Sequence, residues 1–92
     1  MDAKNLDPTM ASLNVTWNGT NGDLPDPVAY DTPQAQLLQM ATESIRGGYI
    51  PGIPMDMAVD LEGFVVDRFP ATGELPNRLF IRPKTPFGSS LT

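Results

Sequence analysis

The patterning of this 92-residue chain predicts an α+β domain, a mixed four- to five-stranded sheet packed on one helix. Three observations carry the prediction. Residues 12–17 alternate strictly, with Leu13, Val15 and Trp17 on one side and Ser12, Asn14 and Thr16 on the other. That is the period of a half-buried strand. Leu37, Met40, Ala41 and Ile45 recur at helical spacing, and Leu38 widens their stripe toward a buried face. Arg78-Leu79-Phe80-Ile81-Arg82 then returns to strand-forming residues. Its three consecutive apolar side chains predict burial on both faces, in the middle of the sheet.

Taken in order, residues 1–11 are polar, contain Pro8 and show no sustained period, so they are expected to form a flexible leader. The first strand runs into Asn18-Gly19 and Asn21-Gly22, pairs that tolerate positive φ, and the chain should turn back there. A second strand is expected at Val28, Ala29 and Tyr30. Pro25 and Pro27 have no N–H to donate, which places it at a sheet edge.

The helix is expected over about 32–46. Thr32 suits its N-cap, Pro33 its first position and Asp31 the positive end of its dipole. Arg46 suits the opposite end, and Gly47-Gly48 should stop the helix in a left-handed cap. Residues 49–62 are the least regular, because Pro51, Gly52 and Pro54 forbid regular structure at their start. Ile50, Ile53, Met55 and Met57 are expected to cover one end of the core, and the sequence leaves open whether a short helical turn forms near 56–61. Phe64, Val65 and Val66 read as a strand closed by Pro70 and the Thr72-Gly73 turn. After Arg82, Pro83 and Pro86 end the last strand. The ordered domain is thus expected over 12–84 and an extended tail over 85–92.

Composition narrows the chemistry. The chain has no Cys and no His, which excludes disulfides, zinc, haem and iron–sulfur sites built on those ligands, and every His-dependent mechanism. Asp56, Asp60, Glu62 and Asp67 do not follow the spacing of a calcium loop, so neither a metal nor another cofactor is expected. With so little room for a pocket, catalysis is the least expected activity. No run is long and apolar enough to span a membrane, and no basic, apolar start suggests export, so the cytoplasm is the expected compartment.

Charge is unevenly placed. Residues 1–67 carry ten acids and two bases, a balance of −8, whereas residues 68–92 carry four bases and one acid, a balance of +3. An acidic body with a basic C-terminal segment argues against nucleic-acid binding, which needs a broad positive face, and favours a protein partner.

The element order (hairpin, helix, irregular loop, strand, central last strand) implies that the last strand lies parallel to and beside the first, with the helix packed across the sheet. In that order, in Gly48-Tyr49-Ile50-Pro51 after the helix, and in the late basic strand leading to a glycine-bearing tail, the chain resembles the ubiquitin-like proteins of the β-grasp fold. The resemblance covers roughly residues 12–88 and is one of architecture. It implies a modifier conjugated through Gly88 to a target amine by ATP-dependent activating and conjugating enzymes of the E1 and E2 type. A peptidase would first cleave between Gly88 and Ser89. One departure is plain: the family's usual ending is Gly-Gly, and here Phe87 precedes Gly88, so a dedicated pathway would have to accept Phe.

The chemistry of such a tail is consistent with these residues. Gly88 has no side chain to clash in a narrow active-site channel. Pro83 and Pro86 would keep the approach extended and lower the entropy lost on threading. Arg78, Arg82 and Lys84, with Phe87, are the candidate partner-binding residues, steering the tail to an acidic enzyme surface. Lys4 is a candidate acceptor for chains.

Two rival readings follow from the same residues. A β-grasp module could act without covalent chemistry, adding the leader or a sheet edge to a neighbour and giving a homo-oligomer. An acidic decoy imitating DNA is the other, and the basic last strand counts against it. Trp17 is expected in or at the rim of the core, and Met40, Met55 and Met57 as gap-fillers.

Overall fold

In the computed structural model, which describes residues 8–84, the alternating segment forms β1 (Met10–Trp17). Ala11, Leu13 and Val15 are buried, while Ser12 is exposed and Asn14 and Thr16 are partly so. Asn18 and Gly19 both take positive φ, 57° and 84°, and Trp17 pairs with Thr20 across them. This is the two-residue hairpin that an Asn-Gly pair favours. The return strand β2 (Thr20–Asp23) starts at once, so the Asn21-Gly22 pair lies inside a strand and is not a second turn.

The edge is then interrupted and resumed. Leu24 donates its N–H to the Leu13 carbonyl at 2.9 Å. Pro25, Asp26 and Pro27 bulge out, and β3 (Val28–Ala29) pairs with Ala11 and Met10. The prolines therefore sit at the edge, where their missing donors leave no ladder bond unmade. Because Met10 and Ala11 pair with β3, β1 begins inside the segment expected as a leader.

The helix α1 (Gln34–Gly47) buries Leu37, Ala41 and Ile45 against the sheet. Its start differs from the expectation: Pro33, in extended conformation, is the N-cap and no side chain caps it. The Thr32 hydroxyl instead donates to the Ala29 carbonyl at 2.6 Å, holding the turn that delivers the chain to the helix. No acidic residue lies in the first turn. At the other end Gly48 is left-handed (φ 72°), and N–H groups of Gly48 and Tyr49 reach the Ile45 and Ser44 carbonyls. That closure satisfies carbonyls that the helix leaves free.

Residues 49–62 contain no helical turn. Asp56 and Asp60 accept hydrogen bonds from the backbone N–H groups of Ala58 and Glu62, both at 2.9 Å, so side-chain turns order the stretch that the sequence left open. Ile50 and Ile53 are buried as expected. Met55 and Met57 are not: they are 63% and 70% exposed. Val59 and Leu61 take the core positions instead.

β4 (Val65–Phe69) and β5 (Asn77–Arg82) complete a five-stranded mixed sheet, ordered β2-β1-β5-β4 with β3 also on β1. β5 is central, parallel to β1 and antiparallel to β4. Its burial alternates, however. Asn77, Leu79 and Ile81 face the helix, while Arg78, Phe80 and Arg82 face the other way. The expectation of burial on both faces is corrected: among the described residues no helix covers the other side of the sheet, and the side chains there cover one another.

Two polar anchors lie at the joins. Buried Asn77 donates to the Pro8 and Met10 carbonyls at 2.8 and 3.1 Å and accepts the Ala71 N–H at 2.7 Å. Arg68 donates to the Tyr30 and Thr32 carbonyls at 2.6 and 2.7 Å, tying β4 to the helix entry. Trp17 sits at the rim of the core, its indole N–H donating to the Asp56 carboxylate at 2.8 Å.

Candidate functional site: the open face of the sheet

The face of the sheet away from α1 is built by register. Across the central strands, Ser12, Arg78 and Phe69 form one row, and Asn14, Phe80 and Asp67 the next. Arg82 and Val65 stand opposite each other beyond them. The alternation that sends Leu79 and Ile81 into the core therefore presents two arginines and a phenylalanine on the opposite side.

These side chains cover one another. Phe69 and Phe80 meet edge to face with centroids 5.4 Å apart, an arrangement the ring quadrupoles favour. The Arg78 guanidinium lies 5.3 Å from the Phe69 ring and 5.9 Å from Phe80, within cation–π range. Arg82 is held by Asp67 through its Nε and an Nη atom. The hydrogen bond to Asp67, and then its charge, raise the Arg82 pKa above its ordinary value. Asn14 donates to the Asp23 carboxylate at 3.0 Å.

Of the residues singled out from the sequence, Arg78 and Arg82 are brought to this one face, at opposite ends of β5. Lys84 is exposed just beyond the strand. Phe87, Gly88, Ser89 and Lys4 lie outside the described residues. Gly47-Gly48 is the helix stop. Phe69 and Asp67 were not foreseen as part of the site. The signal was present in the period-two arrangement of Asp67 and Phe69 beside that of Arg78, Phe80 and Arg82, but register between strands was needed to join them.

Among the described residues no cluster of acidic side chains could hold a metal ion, and no helix is long and apolar enough to cross a membrane. Asp56, Asp60 and Asp67 are engaged locally, by backbone N–H groups, Trp17 or Arg82. The described residues form an α+β domain with a mixed five-stranded sheet and one helix. No protein-family model, curated protein or solved structure matches this chain.

Proposed function

We propose that this chain is a ubiquitin-like β-grasp protein that modifies other proteins through Gly88. One observation carries the reading. β5, the last described strand, is central in the sheet and parallel to β1, with the hairpin at one edge and the helix across one face. That order is compatible with a β-grasp, and the described chain ends just after its central strand. In the proposed reading the residues after Lys84 would be offered to an enzyme while the domain is held at a distance.

The covalent chemistry would belong to partners, since the chain has no cysteine to carry a thioester. Cleavage between Gly88 and Ser89 by a peptidase would free the Gly88 carboxylate. ATP would convert it to an acyl adenylate with release of pyrophosphate. An enzyme thiol would displace AMP to give a thioester, and a target amine would displace that thiol to form the amide. Arg78, Arg82 and Lys84 would steer the encounter toward acidic enzyme surfaces.

The test compares N-terminally tagged parent protein with a variant that ends at Phe87, both expressed in the native host. The reading predicts higher-mass species that survive denaturation in the parent and vanish in the variant. The same species in both, or none in the parent, would refute it.

A second reading is favoured by one feature. Among the described residues β4 has no strand on its outer edge, which suits strand addition from a neighbour and a non-covalent assembly.

A further inference from the structure

Three arginines lie on β4 and β5, and their environments differ. Arg82 is held by Asp67, and Arg68 is satisfied by two backbone carbonyls. Among the described residues Arg78 has no hydrogen-bond partner, and its Nε is buried without an acceptor. Arg78 as a whole is only partly buried, so part of its side chain reaches solvent. Packing between Phe69 and Phe80 orients the guanidinium and strips part of its hydration. A cation already partly dehydrated loses less water on meeting an anion, and a planar fork matches a carboxylate.

The neighbours complete a receptor. Ser12 is exposed beside Arg78 on β1 and has a hydroxyl to donate. Beyond it a hollow of about 270 Å³ is walled by Leu24, Pro27 and Pro76, together with Asp23 and Asp26. Those acids would reject a second negative charge there but not an apolar side chain. Asp67, the carboxylate opposite Phe80, is already engaged by Arg82.

We propose that Arg78, with Ser12 and the Phe69 and Phe80 rings, binds one carboxylate side chain of a partner peptide, with the peptide's apolar neighbour in the hollow beside Ser12. Charge selects this occupant. Among the described residues Arg78 is the arginine of β4 and β5 without a hydrogen-bond partner, and the net negative charge of the chain would disfavour a polyanion such as nucleic acid far more than one carboxylate. The site does not depend on conjugation through Gly88.

The experiment is an NMR titration that observes backbone amides and arginine Nε–H groups. The probe is an uncharged-ended Gly-Ser-Leu-Glu-Leu-Ser-Gly peptide, compared with its Gln counterpart. The Glu peptide should shift the Arg78 Nε–H and the amides of Ser12, Phe69 and Phe80, and bind about tenfold or more tighter than the Gln peptide, the range of one charge-assisted contact. Arg78→Met should lose the same factor, while Arg46→Met, which removes an exposed cation at the end of α1, and the chain ending at Phe87 should bind as the parent does. If Arg78→Met does not fold, Arg78→Lys keeps the charge without the fork and should still weaken binding severalfold. Equal binding of the two peptides, shifts away from this face, or unchanged binding after Arg78 replacement would overturn the proposal. So would preferential binding of single-stranded DNA.

Discussion

Gly22 offers the sharpest test of how the loop after the helix is seated. It lies within β2, opposite Val15, on the side facing that loop. A Cβ added there would sit 2.8 Å from Ile50 Cγ2 and 3.6 Å from Ile53 Cγ1, and would press on the Pro51 carbonyl. Ile50 is 2% exposed and cannot swing away without opening the core, and the Pro51 oxygen is backbone. Overpacking of this kind costs about 1–3 kcal/mol. Alanine recovers roughly 0.4–1 kcal/mol by restricting the unfolded chain, leaving a net loss of about 1–2 kcal/mol. For a chain of this length that is a fall in Tm of roughly 5–15 °C.

Two controls share the chemistry without the contact. Gly73 has open space and no positive φ, so Gly73→Ala should be neutral or slightly stabilising. Gly19 also has open space but a φ of 84°, so its cost should come from backbone strain alone, about 1 kcal/mol. Urea and thermal unfolding followed by Trp17, the single tryptophan, give all three values. Gly22→Ala as stable as the parent, or Gly73→Ala equally damaged, would refute the reasoning.

Arg68→Met removes the two donors to the Tyr30 and Thr32 carbonyls; it should destabilise by about 1–3 kcal/mol and speed hydrogen exchange at the start of α1. Leu79→Ala empties a fully buried position in the central strand, and a loss of about 2–5 kcal/mol by urea unfolding is expected. Arg82→Gln breaks an exposed ion pair, so its unfolding midpoint should match the parent's.

Much of the fold was legible because local and global preferences agree. Strict alternation marks β1, and Gly48 supplies the left-handed stop that α1 needs. The basic, apolar last strand takes the central place expected of it. What was not legible depended on contacts distant in sequence. Thr-Asn-Gly-Asp has little strand propensity, yet it forms β2 because the hairpin delivers it to β1 and because Gly22 admits Ile50 and Pro51. Thr32 has the chemistry of a cap, but its hydroxyl finds the Ala29 carbonyl first. Met55 and Met57 are apolar and still exposed, since Val59 and Leu61 fill the space they were expected to cover.

The candidate site divides in the same way. Charge placement pointed to Arg78 and Arg82, and both lie on the open face. Phe80 was expected to be enclosed on both sides; it faces outward and is covered by Phe69 and Arg78. Only the β4–β5 register could reveal that pairing.

Conjugation would form an amide bond at the Gly88 carboxylate. Its most direct measurement is tryptic mass spectrometry of protein recovered from the native host under denaturing conditions. Trypsin cuts after Lys84, so conjugation through Gly88 would leave Thr-Pro-Phe-Gly as an amide branch on a lysine of another protein. A modifier should yield that branch, together with free chains ending at Gly88. Chains that continue past Gly88 into Ser89, with no branched lysine in growing cells, would contradict it.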